Sequence, residues 1–344
     1  MSVNTPPGSF MPRFNHMPAC DHYRFVRCGF TLIELVLVLV ILAILASAAM
    51  SMVDVQVDQT RFELTQQTLE AIEQAVLGVD HARASDGSRA VSGFVADCGR
   101  LPHSLDELHS QPTTLVPAFS SGVPDGDTQV ITTGGWNGPY LQLAIGATSL
   151  PDGWATGLEP HNSDGTVSAP TEPLSILRSL GRDRLVGGTN YDADLSLVFE
   201  SDAPISGLTT QAENRWQKSL TVYVYYNDSS TNPEVANGDK IVVRVFGPVA
   251  DPTTGAVTLG TIQQEIVEYS SSAVPPAPFP VSVTFSDLPI GPRIIRAYQL
   301  LNASADPDPA DELSDDSDLQ AISVPTRLVV SRETSSIQLI LRED

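Results

Sequence analysis

From Leu35 to Met50 the chain carries no charged residue, and the low-polarity stretch runs from Phe30 to Val53 with only Thr31, Glu34, Ser47 and Ser51 interrupting it. That is the length a helix needs to cross about 30 Å of hydrocarbon. Beyond Val53 the apolar positions thin to a stripe. Val55, Phe62, Leu69 and Val76 recur every seven residues, and Ile72 and Val79 add a second row. This period predicts a continuing amphipathic helix, with Asp58, Gln59, Arg61, Glu63, Gln66, Gln67, Glu70 and Glu73 on its other faces and Gly78 at its end. A helix continuous from Phe30 to Leu77 is on the order of 70 Å long at 1.5 Å per residue.

Toward the C-terminus the period changes from helical to alternating. Residues 201–217, "SDAPISGLTTQAENRWQ", read as a linker, and seven candidate strands follow: "LTVYVYY", "KIVVRVF", "TIQQEIVEY", "PVSVTF", "RIIRAYQL", "TRLVVS" and "SIQLILR". Short alternating strands separated by Gly, Pro and Asn favour a β-sandwich over residues 218–344. Between them lies an acidic run, Asp306, Asp308, Asp311, Glu312, Asp315, Asp316 and Asp318, which reads as a solvated loop. In the middle region "LPHSLDEL" reads as a short helix opened by Ser104, with Glu107 placed for a capping box.

Charge and cysteine content narrow the function classes. The 344 residues hold 19 Lys plus Arg against 41 Asp plus Glu, a formal net charge of -22, which argues against a phosphate-binding surface; no nucleic acid partner is expected. Three cysteines, Cys20, Cys28 and Cys98, exclude a stapled disulfide framework. Ahead of the apolar run stand Arg13, Arg24 and Arg27 against Asp21 alone, so this end is expected to stay cytoplasmic while the rest crosses. A secretory signal peptide cut near Ala46, Ala48 or Ala49 is the alternative reading of the same run.

The chemistry of the run centres on Glu34. A carboxylate at the hydrocarbon level is disfavoured by roughly 2.5 to 3.5 kcal/mol on insertion scales, so it calls for a partner, for hydration at the interface, or for a proton. Elsewhere the sequence holds no Walker loop, no Gly-x-Ser-x-Gly elbow and no His-Glu-x-x-His, so no enzyme is expected. Trp136, Trp154 and Trp216 read as packing residues, and Cys98 as a small thiol without a partner.

Gly29, Phe30, Thr31, Leu32, Ile33 and Glu34 ahead of the apolar run closely resemble the type IV prepilin signature, shared by pilins and by the pseudopilins of type II secretion. The resemblance implies cleavage between Gly29 and Phe30 by a prepilin peptidase, N-methylation of Phe30, and retention of the helix. It also implies that Glu34 pairs with the new terminal amine of a neighbouring subunit. Two ions that are each costly in hydrocarbon then favour docking at one axial register.

A second likeness follows in chain order: "GGWNGPYL" from Gly134, "DGWATG" from Asp152, "SLGRD" from Ser179, "GG" at Gly187 and "DADL" from Asp192. This order resembles the head of the major pseudopilin, although Gly153 stands where that family has proline, and Ala155 and Thr156 where glycine and asparagine are usual. The resemblance implies a calcium ion near Asp183, Asp192 and Asp194, helped by a carbonyl around Leu180. Against it, Arg182 and Arg184 flank Asp183, and a solvated turn tied by Asx hydrogen bonds is the alternative. Calcium is the one cofactor implied. Further on, "VTFSDLPIGPRIIRAYQ", through Asp287, Leu288, Pro289 and Gly291, resembles the small sandwich modules of the transthyretin and carboxypeptidase-regulatory type.

The expected fold is therefore α+β. A cleaved leader (1–29) precedes an N-terminal helix (30–80, with 30–53 transmembrane) packed on a small pilin-like head (81–200). A linker (201–217) and an all-β sandwich (218–344) complete the chain. The expected function is a minor structural subunit of a type IV pilus or type II secretion pseudopilus; a membrane-tethered periplasmic binding protein or hydrolase that never polymerises is the alternative. Expected partners are the prepilin peptidase, other pilin or pseudopilin subunits, the bacterial inner membrane, and something that contacts the sandwich.

Overall fold

A computed structural model describes residues 31–79, 92–113, 115–125, 128–143, 149–205, 208, 211–226, 238–251, 257–268, 280–301, 307–308, 319–331 and 335–343. The chain divides into two compact units, Met1–Asp54 and Val55–Asp344. Helix α1 (Leu32–Leu77) runs through 46 residues. In the first unit its apolar side chains from Leu32 to Leu45 are broadly exposed. Among the described residues it is the one helix long and apolar enough to cross a membrane, judged by length and composition.

In the second unit α1 supplies one wall of a core. Leu69, Ile72, Ala75, Val76 and Leu77 are buried there, each Leu or Ile worth about 1.5–3 kcal/mol against exposure. The predicted stripe holds from Phe62 to Val76, but Val55 is 55% exposed and Val79 is 48% exposed. Val79 lies beyond the helix end. There Gly78 turns the chain at φ +81, and a side chain at that position would meet the Ser92 carbonyl oxygen at 2.3 Å.

Two short helices close the same core, α2 (Phe94–Cys98) and α3 (Asp106–His109). The capping box expected at Ser104 is not formed. Helix α3 starts two residues later, with Leu105 at its N-cap and no side-chain cap. Glu107 is drawn inward to pair with Arg100 at 3.0 Å and accepts the His103 N–H at 3.0 Å, so its carboxylate answers a partly buried cation. Trp136 packs on this core and donates Nε1–H to the Glu107 carbonyl at 2.7 Å.

Small strand groups follow: a hairpin of β1 (Phe119–Asp125) and β2 (Thr128–Gly134), a three-stranded sheet of β3 (Glu159–His161), β4 (Ile176–Ser179) and β5 (Leu195–Val198), and a pair of β6 (Glu200–Ser201) and β7 (Glu213–Asn214). Within residues 201–217, read from sequence as a linker, Glu213 and Asn214 are tied into the unit by that pair. Arg215 forms an ion pair with Glu73 of α1, and Trp216 donates Nε1–H to Glu200 at 3.1 Å. Burial raises the Glu200 carboxyl above its ordinary range, and the Trp216 bond opposes this.

The described residues of the C-terminal region are mostly strand: β8 (Gln217–Tyr226), β9 (Lys240–Ala250), β10 (Val257–Glu268), β11 (Val281–Pro289), β12 (Gly291–Leu300), β13 (Leu319–Ser323), β14 (Thr326–Val330) and β15 (Ser335–Glu343). All seven candidate strands appear, joined by β13. That strand is only five residues long and follows directly on the acidic run, where the sequence carries little alternation. The hydrogen-bonded order is β10-β9-β12-β13-β15-β8-β11, with β14 also paired to β12. Pairing is antiparallel except between β15 and β8. The sheet wraps one apolar core that includes Val222, Val243, Phe285, Ile295 and Leu341.

Strands β11 and β12 are consecutive yet pair with different neighbours, so the Asp287–Gly291 turn is a crossover rather than a hairpin. Arg293, fully buried, fastens it. Its guanidinium donates to the carbonyls of Pro289 and Ile290 at 3.0 Å each and of Pro292 at 2.9 Å, and reaches the Ala96 carbonyl of α2 at 3.3 Å. Ile290 and Val257 enter the same core as α1 and α2.

Candidate functional site

Glu34 sits in the first turn of α1, and its carboxylate already has local partners. Oε2 accepts the Thr31 backbone N–H at 2.9 Å and the Thr31 hydroxyl at 3.0 Å, while the Glu34 N–H donates to Thr31 Oγ at 3.3 Å. This reciprocal pattern is a capping box, in which two N–H groups left open by a helix start are satisfied by side chains. The Thr-x-x-Glu spacing that announces it stands in the sequence, and a reading of Glu34 as an ion awaiting a neighbour passes over it. Gly29 and Phe30, the residues of the expected cleavage and methylation, lie outside the described residues.

In the second unit one face of α1 receives two turns. The "DGWATG" turn lies directly on the helix backbone. Gly153 donates its N–H to Thr65 Oγ at 2.9 Å, and a side chain at position 153 would meet the Arg61 carbonyl oxygen at 1.9 Å. Here the departure from the family pattern has a physical reason: proline has neither the hydrogen to donate nor the room. Asp152, buried, organises the turn by accepting the N–H groups of Trp154 at 3.0 Å and Thr156 at 2.7 Å, and the Ser179 hydroxyl at 2.7 Å. Ala155 takes φ +60, in the region that favours glycine.

The second turn is the loop for which calcium is the expectation. Arg182 donates through Nε and Nη2 to the two oxygens of Asp192 at 2.7 and 3.0 Å, and through Nη1 to Asp58 of α1 at 2.8 Å. These carboxylates hold the guanidinium above its ordinary pKa, Asp192 first. Asp183 accepts the Leu185 N–H at 3.0 Å, and Asp194 accepts the Gly187 N–H at 3.0 Å. Phe62 of α1 stands edge-on to Trp154 at 6.4 Å and to Tyr191 at 6.0 Å, so one ring touches both turns. The three expected ligands thus face different donors, and among the described residues no group of three His, Cys, Asp or Glu side chains is placed to hold a metal. Sequence spacing gave no sign of the Asp58–Arg182 contact, which joins residues 124 apart.

A second, largely buried ionisable group gathers around helix α2. Asp97 accepts the Tyr140 hydroxyl at 2.9 Å; burial lifts its carboxyl to about 6, against the pull of Tyr140 and of Arg293. Burial also pushes the Cys98 thiol up to about 12 and draws the Arg293 guanidinium down to about 9. A thiol held in that range is chemically inert at neutral pH.

The model of the prokaryotic N-terminal methylation motif matches residues 24–50. The chain is also 24% identical over 169 residues, covering 49% of this chain and 88% of the relative, to the type II secretion system core protein G of Xanthomonas campestris pv. campestris. No solved structure matches it. The methylation motif thus spans Glu34 and its apolar helix, and about half of the chain is similar to a type II secretion core protein, so the chain resembles the type IV prepilin-like and pseudopilin proteins.

Proposed function

We propose that the chain is a structural, non-enzymatic subunit of a type IV pilus or type II secretion pseudopilus. In this reading a prepilin peptidase cuts between Gly29 and Phe30, Phe30 is N-methylated, and the helix through residues 30–53 holds the subunit in the inner membrane with residues beyond it in the periplasm. On assembly Glu34 leaves Thr31 and pairs with the terminal ammonium of an adjacent subunit. In low dielectric that exchange replaces two neutral donors by one charge, and each ion loses its desolvation penalty.

The observation that carries the reading is the coincidence of the methylation motif at residues 24–50 with a single carboxylate in an otherwise uncharged span of helix. The aligned relative accounts for 49% of the chain, and the C-terminal strands enlarge the subunit beyond what such a relative holds. This supports a minor, tip-like subunit whose β region contacts a partner. Intact mass of protein recovered from cells tests the first step. Loss of residues 1–29 and gain of one methyl group is expected; an uncut chain, or an N-terminus other than Phe30, overturns the reading.

A further inference from the structure

The loop from Gly181 to Asp194 is held to helix α1 by an ion that belongs to the chain. Arg182 lies between Asp192, on its own loop, and Asp58, on the helix, and engages both carboxylates at hydrogen-bond distance. We propose that this guanidinium does, from within the sequence, what a bound divalent cation would do at this place: it gathers carboxylates from separate segments and fixes the loop on the helix, so that the loop's order is independent of calcium.

The oxygens bear this out. Calcium takes six to eight of them. Both oxygens of Asp192 are engaged by Arg182, Asp183 turns back to the Leu185 N–H, and one oxygen of Asp194 is used by the Gly187 N–H. The other oxygen of Asp194 is buried without a partner, a single acceptor where a cation needs a shell. Arg182 is about half exposed, its side chain at 48%, whereas Asp58 is at 16%. One exposed pair would hold little, but a planar fork on one carboxylate plus a third bond to another is the geometry in which such contacts count.

A clasp of this kind is sensitive to salt and indifferent to chelators. The test is hydrogen exchange of the backbone amides from Gly181 to Asp194, read by mass spectrometry on the full-length chain in detergent. It uses unassembled protein and so stands apart from the filament reading. Exchange should be the same in millimolar calcium and in EGTA, and should quicken as salt is raised to about 1 M. Arg182→Gln should accelerate it by about fivefold in both conditions. Asp58→Asn, which touches none of the three expected calcium ligands, should do the same, with exchange in β12 unchanged as the sign that each variant folds. Slowing of wild-type exchange on adding calcium, abolished by Asp194→Asn, would overturn the proposal. So would unchanged loop exchange in both Arg182→Gln and Asp58→Asn.

Discussion

The Tyr140 hydroxyl donates to Asp97 at 2.9 Å, joining the "GGWNGPYL" segment to helix α2 across 43 residues. The bond satisfies a carboxylate whose burial raises its pKa from 3.8 to about 6. A carboxyl raised on folding gives stability that is whole below its unfolded pKa and is lost as pH rises through the folded one. Between pH 4 and 7 Asp97 should therefore withdraw up to about 2 kcal/mol. Denaturant unfolding of wild type and Asp97→Asn across that window should show their difference shifting in favour of the variant as pH rises. A difference that does not change with pH would contradict the burial argument.

Gly153 is pressed against the Arg61 carbonyl. Gly153→Ala should destabilise the fold by about 3 kcal/mol, because the added carbon overlaps backbone that cannot yield. Thr65→Val, which removes only the acceptor of the Gly153 N–H, should cost about 1–2 kcal/mol. Thermal melts that rank the two in the other order would place the contact elsewhere.

Ala155 holds φ +60, where a β-carbon is strained by about 1 kcal/mol. Ala155→Gly should stabilise the protein by roughly 0.5 kcal/mol, the relief being partly offset by the freedom glycine gains when unfolded. A fall in melting temperature would show that the strain is not there.

Arg293 satisfies four main-chain carbonyls from a site with no exposure. Arg293→Met matches its length but leaves those oxygens bare, and should cost about 3 kcal/mol. Arg293→Lys keeps the charge without the fork and should fall between the two. Equal stability of all three proteins would remove the turn's dependence on the guanidinium.

Glu34 has two roles that substitutions separate. Glu34→Gln keeps an oxygen for Thr31 and so preserves the helix start, while it abolishes the charge; Thr31→Val does the reverse in part. If pairing with a neighbour's ammonium drives assembly, the amount of subunit in sheared filaments should drop at least about tenfold in Glu34→Gln and stay near wild type in Thr31→Val. The opposite ranking would assign Glu34 to capping alone.

Long-period patterns were legible in the sequence. The apolar run, the stripe from Phe62 to Val76 and the alternating strands each repeat a simple spacing many times, so single exceptions do not hide them. Contacts that join distant segments were not. Nothing local marks Arg182 for Asp58, Arg215 for Glu73, or Arg293 for the Ala96 carbonyl, because each depends on how elements meet. Glu107 illustrates the conflict. Its spacing from Ser104 fits a cap, but a partly buried Arg100 nearby offers a stronger partner, and the local motif yields.

The eight-stranded sheet curls until its terminal strands meet, with Gln263 of β10 donating to the Ser286 carbonyl of β11 at 2.6 Å. Strands that end a sheet are where foreign chains add on and aggregation begins. Here each of those two borders has the other for company. A second copy of this β region brought close would then find neither of those borders open for strand addition.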